Sequence, residues 1–138
     1  MKKLLTAFAV LIALVGVLLL ALPTILHKNG LHPEYSGPSV DLPGKRALVI
    51  TTSHSVLAAP GETEGKATGV FGSEMTHPYY TFLDGGMEVD IASIQGGELP
   101  IDPSSFYFMV KTPEDERYLN DPVAQAKVKN SLPIAEVD

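Results

Sequence analysis

The 138-residue sequence contains no cysteine. This absence excludes a disulfide framework, a thiolate metal site and a cysteine nucleophile within the chain. The apolar content of 45% is typical of one small domain with an additional apolar segment, and it excludes a disordered polymer.

Basic residues are scarce beyond the first part of the chain. After Lys28 there are 7 Lys and Arg against all 16 Asp and Glu, a net charge of −9. Such a surface is repelled by nucleic acid and by anionic lipid headgroups, so we expect no nucleic-acid partner.

Charge is also absent from Leu4 to Leu22, where Thr6 is the only polar residue. The run would be about 28 Å long as a helix, close to the hydrocarbon thickness of a bilayer. A cleaved signal peptide is the alternative, but its apolar core is usually about 7 to 15 residues and ends at a small-residue site, which is not found before Leu22-Pro23. The sequence therefore favours a transmembrane anchor over residues 4–22.

Lysines on both sides of this segment indicate its orientation. Lys2 and Lys3 precede it with the amino terminus, whereas His27 and Lys28 follow it. The positive-inside rule predicts that residues 1–3 are cytoplasmic and that the domain lies across the membrane. Because the rule rests here on two lysines, the sequence leaves the topology open.

Proline and glycine are frequent in residues 23–44, which we interpret as an extended linker. His27 and His32 fall in this linker. A solvated linker offers them no third ligand in register, so the sequence predicts no metal site there.

Residues 45–138 have the pattern of an α/β domain. Two apolar runs predict buried parallel strands, at Arg46–Thr52 and Met87–Ser93. Between them we expect a loop over residues 53–68 and then a helix from Met75 that stops at Gly85-Gly86, with Pro78 in its first turn. This is a β-loop-α-β unit of the right-handed crossover type.

Two further helices are predicted to start at Thr112-Pro113 and Asp121-Pro122, where a capping side chain precedes a proline. Both have few large apolar residues, so we expect them on a surface. The sequence then ends where a third strand is expected. The predicted fold is therefore an incomplete doubly wound parallel sheet preceded by one transmembrane helix.

Candidate site residues follow the first predicted strand. His54 lies directly after the strand, while Glu74 and His77 lie where the helix begins, so all three could line the carboxyl edge of the sheet. Glu74 suits acid–base chemistry or the support of a nucleophile, and it equally suits stabilisation of a helix N-terminus. For the histidines a loop or cap role is favoured.

Other patterns in this region point to packing. Gly61, Gly65, Gly69 and Gly72 surround Lys66, but their spacing and the following Ala67 do not fit a phosphate-binding loop. Tyr79, Tyr80 and Phe82 recur at helical spacing, which is typical of a core. We therefore expect no cofactor.

Four segments together resemble the N-terminal half of the ThiJ/PfpI superfamily, also described as class I glutamine amidotransferase-like. They are RALVITTSH, then GKATGVFGSEMTHPYYTFLDGGMEVDIASIQGGELPIDPSS, then TPEDERYLNDP, and finally LPIAEVD. The resemblance covers about residues 45–138 and is greatest to the branch that includes glyoxalase III enzymes and heat-shock chaperones.

The resemblance implies a flavodoxin-like fold and a cysteine nucleophile on a later strand-to-helix elbow. It also implies that a glutamate from the first βα turn supports this cysteine, and Glu74 of TGVFGSE stands at its position. The elbow lies beyond LPIAEVD in the family, so the nucleophile that Glu74 would support is absent from this chain.

Two functions are consistent with the sequence. In one, the chain is a membrane-anchored, truncated relative of cysteine-dependent glyoxalase-type enzymes or chaperones and is inactive alone. In the other, it is a binding module that assembles with a second copy or with a separate C-terminal half. An aberrant product without function is a weaker third interpretation. Substrate, oligomeric state, anchor cleavage and membership of a longer protein stay open.

Overall fold

The computed structural model describes residues 2–30 and 37–137, which divide into two units at Gly37 and Pro38. The first unit contains α1 (Lys2–Lys28), a helix of 27 residues with no buried residue. By length and composition this helix could cross a membrane, and a signal sequence would meet the same criteria.

Helix α1 extends beyond the predicted apolar segment. It continues through Pro23 to Lys28, so the prediction of an extended linker is wrong for these first residues. Ile25 and Leu26 prolong the apolar sequence, and His27 and Lys28 in the last turn are favourable at the negative end of the helix dipole. His27 is therefore helical, whereas His32 lies outside the described residues.

The second unit begins with a strand, a ribbon and a helix. Strand β1 (Arg46–Thr51) is followed by β2 (Val56–Leu57), β3 (Lys66–Ala67) and α2 (Gly72–Asp84). The loop predicted over residues 53–68 is not irregular throughout, because β2 and β3 form an antiparallel ribbon within it.

Among the remaining elements, one strand and two helices follow in the predicted order. In full, the remaining elements are β4 (Glu88–Ser93), a 3₁₀ turn (Pro103–Phe106), α3 (Pro113–Leu119), α4 (Pro122–Lys129), β5 (Leu132–Pro133) and a last 3₁₀ turn (Ile134–Glu136). Thr112 and Asp121 cap the two helices through their side chains, which confirms the predicted helix starts.

The main sheet is parallel, with the order β1-β4-β5. The pairing of β1 with β4 across α2 confirms the predicted β-loop-α-β unit. A short third strand is already present near the end of the sequence, because Leu132 and Pro133 pair with Ala92 and Ser93 of β4. This α/β architecture is consistent with part of a flavodoxin-like fold.

The core lies on one face of this sheet. Val49 pairs with Ile91 and therefore points to the same face, and all three helices of the unit contribute side chains to the same cluster. The residues of this cluster that are buried are Val49, Met75, Tyr79, Tyr80, Val89, Ile91, Leu99, Tyr118, Ala124 and Val128.

Burial differs from the sequence prediction at several positions. Strand β1 was expected to be buried, but Ile50 is 55% exposed, because no helix covers its face among the described residues. Tyr79 and Tyr80 are core residues as predicted, whereas Phe82 is exposed. Helices α3 and α4 do not lie wholly on the surface, since each buries one side against the core.

Candidate functional site at the carboxyl edge of the sheet

Helix α2 places its N-terminus at the carboxyl edge of the sheet. Its last turn leads through Gly85-Gly86 into the start of β4, where the Met87 amide donates to the Phe82 carbonyl over 3.1 Å. The helix therefore runs antiparallel to the strands, and its first turn returns to their carboxyl ends. At this edge the Gln95 amide, just after β4, donates to Ser53 Oγ, just after β1, over 2.8 Å.

Glu74 lies in the first turn of α2 and is exposed. Its amide donates to the Phe71 carbonyl over 2.9 Å. No hydrogen bond or ion pair engages its carboxylate within residues 2–30 and 37–137. Its negative charge is stabilised by the positive end of the helix dipole and is accessible to a ligand or to another chain.

Helix α2 begins three residues before the predicted Met75. The amide of its first residue, Gly72, donates to the buried Ser105 hydroxyl oxygen over 2.8 Å, so the long-range partner replaces a side-chain cap. Pro78 consequently lies in the second turn, and the prediction of a first-turn position is wrong. Proline has no N–H, so the Glu74 carbonyl lacks its usual helical donor four residues later.

A buried carboxylate fixes the turn that holds Glu74. Asp115 on α3 is fully buried, and its two oxygens accept from different elements. Oδ1 accepts from the Thr76 hydroxyl over 2.8 Å, and Oδ2 accepts from the Thr112 amide over 2.9 Å. Because its hydrogen bonds reach α2 as well as its own helix cap, Asp115 couples the two helix starts.

The segment before Glu74 is held just as firmly. Val70 forms a parallel bridge with Ile101, and the Thr68 hydroxyl donates to Asp102 Oδ2 over 3.1 Å. A Cβ atom on Gly69 would lie 2.1 Å from the Pro100 carbonyl oxygen, so only glycine fits there. This contact confirms that close packing accounts for this glycine of the loop.

Asp102 anchors the far side of this contact. Its carboxylate accepts from the Ser104 hydroxyl over 2.6 Å and from the Ser104 amide over 2.8 Å. These hydrogen bonds hold the pKa of Asp102 below its ordinary value, because they favour the charged form. The carboxylate is therefore ionised at neutral pH and keeps the loop tied to Thr68.

The two candidate histidines are placed differently. His54 is exposed after β1, its amide donates to Thr52 Oγ1 over 2.9 Å, and no hydrogen bond or ion pair joins it to Glu74 in the described structure. His77 Nε2 lies 3.0 Å from Glu114 Oε2 on α3. These contacts do not test whether either histidine lines a site, so their roles stay predictions.

Sequence analysis did not single out Thr51, Asp115 or Ser105. Thr51 Oγ1, at the carboxyl end of β1, is buried and has no hydrogen-bond partner in the part of the chain that the structure describes. The spacing of Thr112 and Asp115 signals a capping box, but it does not show that the carboxylate is buried. Ser105 had no local signal, since its partner Gly72 is far away in sequence.

Comparisons with known proteins give structural relatives. The X-ray structure of Rapid Encystment Protein 24 kDa from Francisella tularensis is similar at a TM-score of 0.58 with 37% identity, covering 68% of this chain and 39% of that protein. The crystal structure of glyoxalase III from Candida albicans is similar at a TM-score of 0.53 with 26% identity, covering 68% of this chain and 38% of that protein. No family profile and no curated protein matches the chain.

Both structural relatives are ThiJ/PfpI-family members, and each is matched over less than two fifths of its own length. In this chain the β-loop-α-β unit has an exposed glutamate at the start of its helix. The chain is therefore similar to part of a ThiJ/PfpI-family domain, which confirms the resemblance predicted from the sequence.

Proposed function

We propose that this chain is a membrane-anchored partial ThiJ/PfpI domain in which Glu74 supports a cysteine nucleophile supplied from outside the 138 residues, and that it is inactive alone. The observation behind this proposal is the combination of an exposed carboxylate on a firmly held helix start with a sequence that has no cysteine. A carboxylate near a thiol can orient it by hydrogen bonding, but the attacking electron pair belongs to sulfur.

The similarity to a glyoxalase III suggests the chemistry of the complete site. Small dicarbonyl compounds such as methylglyoxal have an electrophilic carbonyl carbon, which a thiolate attacks. The bond that forms joins sulfur to carbon, and the carbonyl electron pair moves to oxygen. Glu74 would take the thiol proton as the thiolate forms, this proton would pass to the alkoxide oxygen after attack, and Glu74 would make no bond to the substrate carbon.

An activity assay tests this proposal. The full chain in detergent should convert no methylglyoxal above the rate of buffer, and Glu74→Ala should behave identically. Glu62→Ala, at an exposed carboxylate in the β2–β3 ribbon region, is the matched control. Turnover by the chain alone that Glu74→Ala abolishes and Glu62→Ala retains would contradict the proposal.

The proposed anchor is α1, with the amino terminus cytoplasmic and the domain across the membrane. Its 27 residues and its apolar sequence support this role, and the lysines at positions 2 and 3 support the orientation. After alkaline extraction the chain should remain in the membrane fraction at its full mass of 14.8 kDa. A soluble product shortened by the apolar segment would instead identify a cleaved signal peptide.

A second candidate function is that of a binding module. The observation that favours it is exposed apolar surface on the sheet, where Ile50 and Leu132 are accessible. The partner would be a second copy or a separate complementary half. Sedimentation that shows a monomer under all conditions, with or without the complement, would exclude this function.

A further inference from the structure

The face of the sheet opposite the helices has an apolar row. Ile50 of β1 pairs with Ala92 of β4, and Ala92 pairs with Leu132 of β5. Paired residues in neighbouring strands point to the same face, so the three side chains form one row across the sheet. Ile50 is 55% exposed and Leu132 is 42% exposed, while the small Ala92 is buried between them.

The free edge of β1 adjoins this row. Strand β1 is the outermost strand of the sheet, and within the described residues β4 is its only strand neighbour. Alternate residues of a strand direct their N–H and C=O groups to opposite edges, so part of its backbone can pair with a further strand. Edge strands are normally protected by charge, proline or a bulge. In β1 only Arg46 is charged, and the rest, ALVIT, is apolar or hydroxylated.

The composition of β1 fits a central position in a parallel sheet better than an edge. Parallel strands are usually covered on both faces and are apolar on both, as Leu48, Val49 and Ile50 are in this strand. Only the face of Val49 is covered by helices of the described residues. Residues 2–30 and 37–137 thus provide neither a second strand beside β1 nor a layer over Ile50.

From these observations we infer that the free edge of β1 and the Ile50–Ala92–Leu132 row form the docking surface for the complementary part of a ThiJ/PfpI domain. That part would add a parallel strand to β1 and an apolar layer over the row. The inference rests on the proposed function, since it takes the chain to be a partial domain. It identifies where the complement docks and in which direction its strand runs.

The complement is a better occupant of this surface than a second copy. The chain matches 39% of the Francisella protein, so most of a relative's length remains to supply strands and a covering layer. Two identical β1 edges related by a two-fold axis would run antiparallel, whereas every pair in this sheet is parallel. A second copy would also bring no cysteine.

The experiment uses the full 138-residue chain in detergent. The probe is the part of the Francisella protein that this chain does not match, produced as a separate tagged polypeptide and refolded together with it. Complex formation is measured by size-exclusion chromatography with light scattering, and amide hydrogen exchange is measured in residues 46–51. We expect a one-to-one complex in which exchange in β1 slows relative to the chain alone.

Two lysine substitutions locate the contact. Ile50→Lys should weaken the complex by about tenfold or more, because the burial of one isoleucine side chain corresponds to at least that factor. Val123→Lys, at a residue of α4 that is 63% exposed, is the matched control and should change binding by less than about twofold. Equal effects of the two substitutions would overturn the inference.

Hydrogen exchange in the unsubstituted chain tests the inference even if a substitution impairs folding. Absence of a complex, or a complex in which exchange in residues 46–51 is unchanged, would overturn the inference. A homodimer that protects β1 without the probe would overturn it in favour of a second copy. A complex that protects β1 but has no dicarbonyl turnover would support the inference and would contradict the proposed role of Glu74.

Discussion

Val49 and Ile50 are adjacent on β1 and similar in chemistry, yet 7% of Val49 is exposed against 55% of Ile50. The difference arises because successive strand residues point to opposite faces. Val49 belongs to a buried cluster to which three helices contribute side chains, whereas Ile50 lies in a row that no described helix covers. An apolar residue in a strand is therefore suited to burial. Whether it is buried depends on the elements that pack against its face of the sheet.

The helix-covered side of the sheet also contains a fully buried carboxylate, whereas Asp90 on the opposite face is partly exposed. Asp115 is fully buried with hydrogen bonds to both Thr76 and Thr112. Polar groups of this kind are stable in a core only when all of them are paired. The network fixes the start of α2, and it leaves Glu74 exposed on a rigid support.

The largest expected effect is that of Asp115→Ala on the covered face. The substitution leaves the Thr76 hydroxyl and the Thr112 amide buried without partners, and it should lower the free energy of unfolding by about 2–5 kcal/mol. Urea unfolding of the full chain, followed by near-ultraviolet circular dichroism of its tyrosines, measures the change. Glu114→Ala, one residue earlier in the helix, removes only a partly exposed contact with His77 and should cost less than about 1 kcal/mol. Similar costs for both variants would mean that the network does not stabilise the helix start.

A direct comparison of the two faces comes from truncating adjacent residues of β1. Val49→Ala removes buried methyl groups and should cost about 1.5–3 kcal/mol, while Ile50→Ala should change stability by less than about 0.5 kcal/mol. The same unfolding measurement applies to both variants in the full chain. If Ile50→Ala lowers the free energy of unfolding as much as Val49→Ala does when no complement is present, the face of the sheet opposite the helices is already covered in solution.

The smallest expected effect on stability is that of the ion pairs of Asp90, on the face of the sheet opposite the helices. Lys127 and, to a lesser extent, Arg46 hydrogen-bond the Asp90 carboxylate over 2.8 and 3.2 Å, and they hold its pKa below the ordinary value of 3.8. A lowered folded-state pKa means that this stabilisation is present above pH 3.8 and is lost as the pH falls through the lowered value. The effect should be less than about 1 kcal/mol, since the groups are partly exposed.

Thermal unfolding between pH 6 and pH 2 measures this contribution. Asp90→Asn should lower stability at pH 6 and should lose less stability than the parent chain as the pH falls. Glu62→Gln, at an exposed carboxylate, should keep the pH dependence of the parent chain. Identical pH profiles for Asp90→Asn and the parent would show that the ion pairs do not form in solution.

Much of the order of elements could be predicted from the sequence, because the signals are local. The apolar runs gave β1 and β4, and the Thr112 and Asp121 caps gave the starts of α3 and α4. The short pairings could not be predicted. The β2–β3 ribbon and the pairing of β5 with β4 involve two residues on each strand, which is too short for a periodic pattern.

The candidate site could also be predicted only in part, because some of its contacts are local in sequence and others are not. The position of Glu74 at the start of a helix follows from nearby residues, although the helix begins earlier than predicted because of Ser105. Thr68 and Asp102 are 34 residues apart, and Thr76 and Asp115 are 39 apart. In each of these two pairs, the sequence around one residue does not identify the other.

By itself, the sequence determined that this chain has no thiol, a long apolar first segment, an acidic remainder and a β-loop-α-β unit with a carboxylate at its helix start. These properties depend on composition and on side chains a few residues apart. Only the tertiary structure decided that Asp115 is buried under that helix start, that a third strand already pairs with β4, and that the apolar residues of β1 are covered on one face alone. Burial and strand pairing depend on residues distant in sequence, because whether a side chain meets water is settled by the elements that pack beside it.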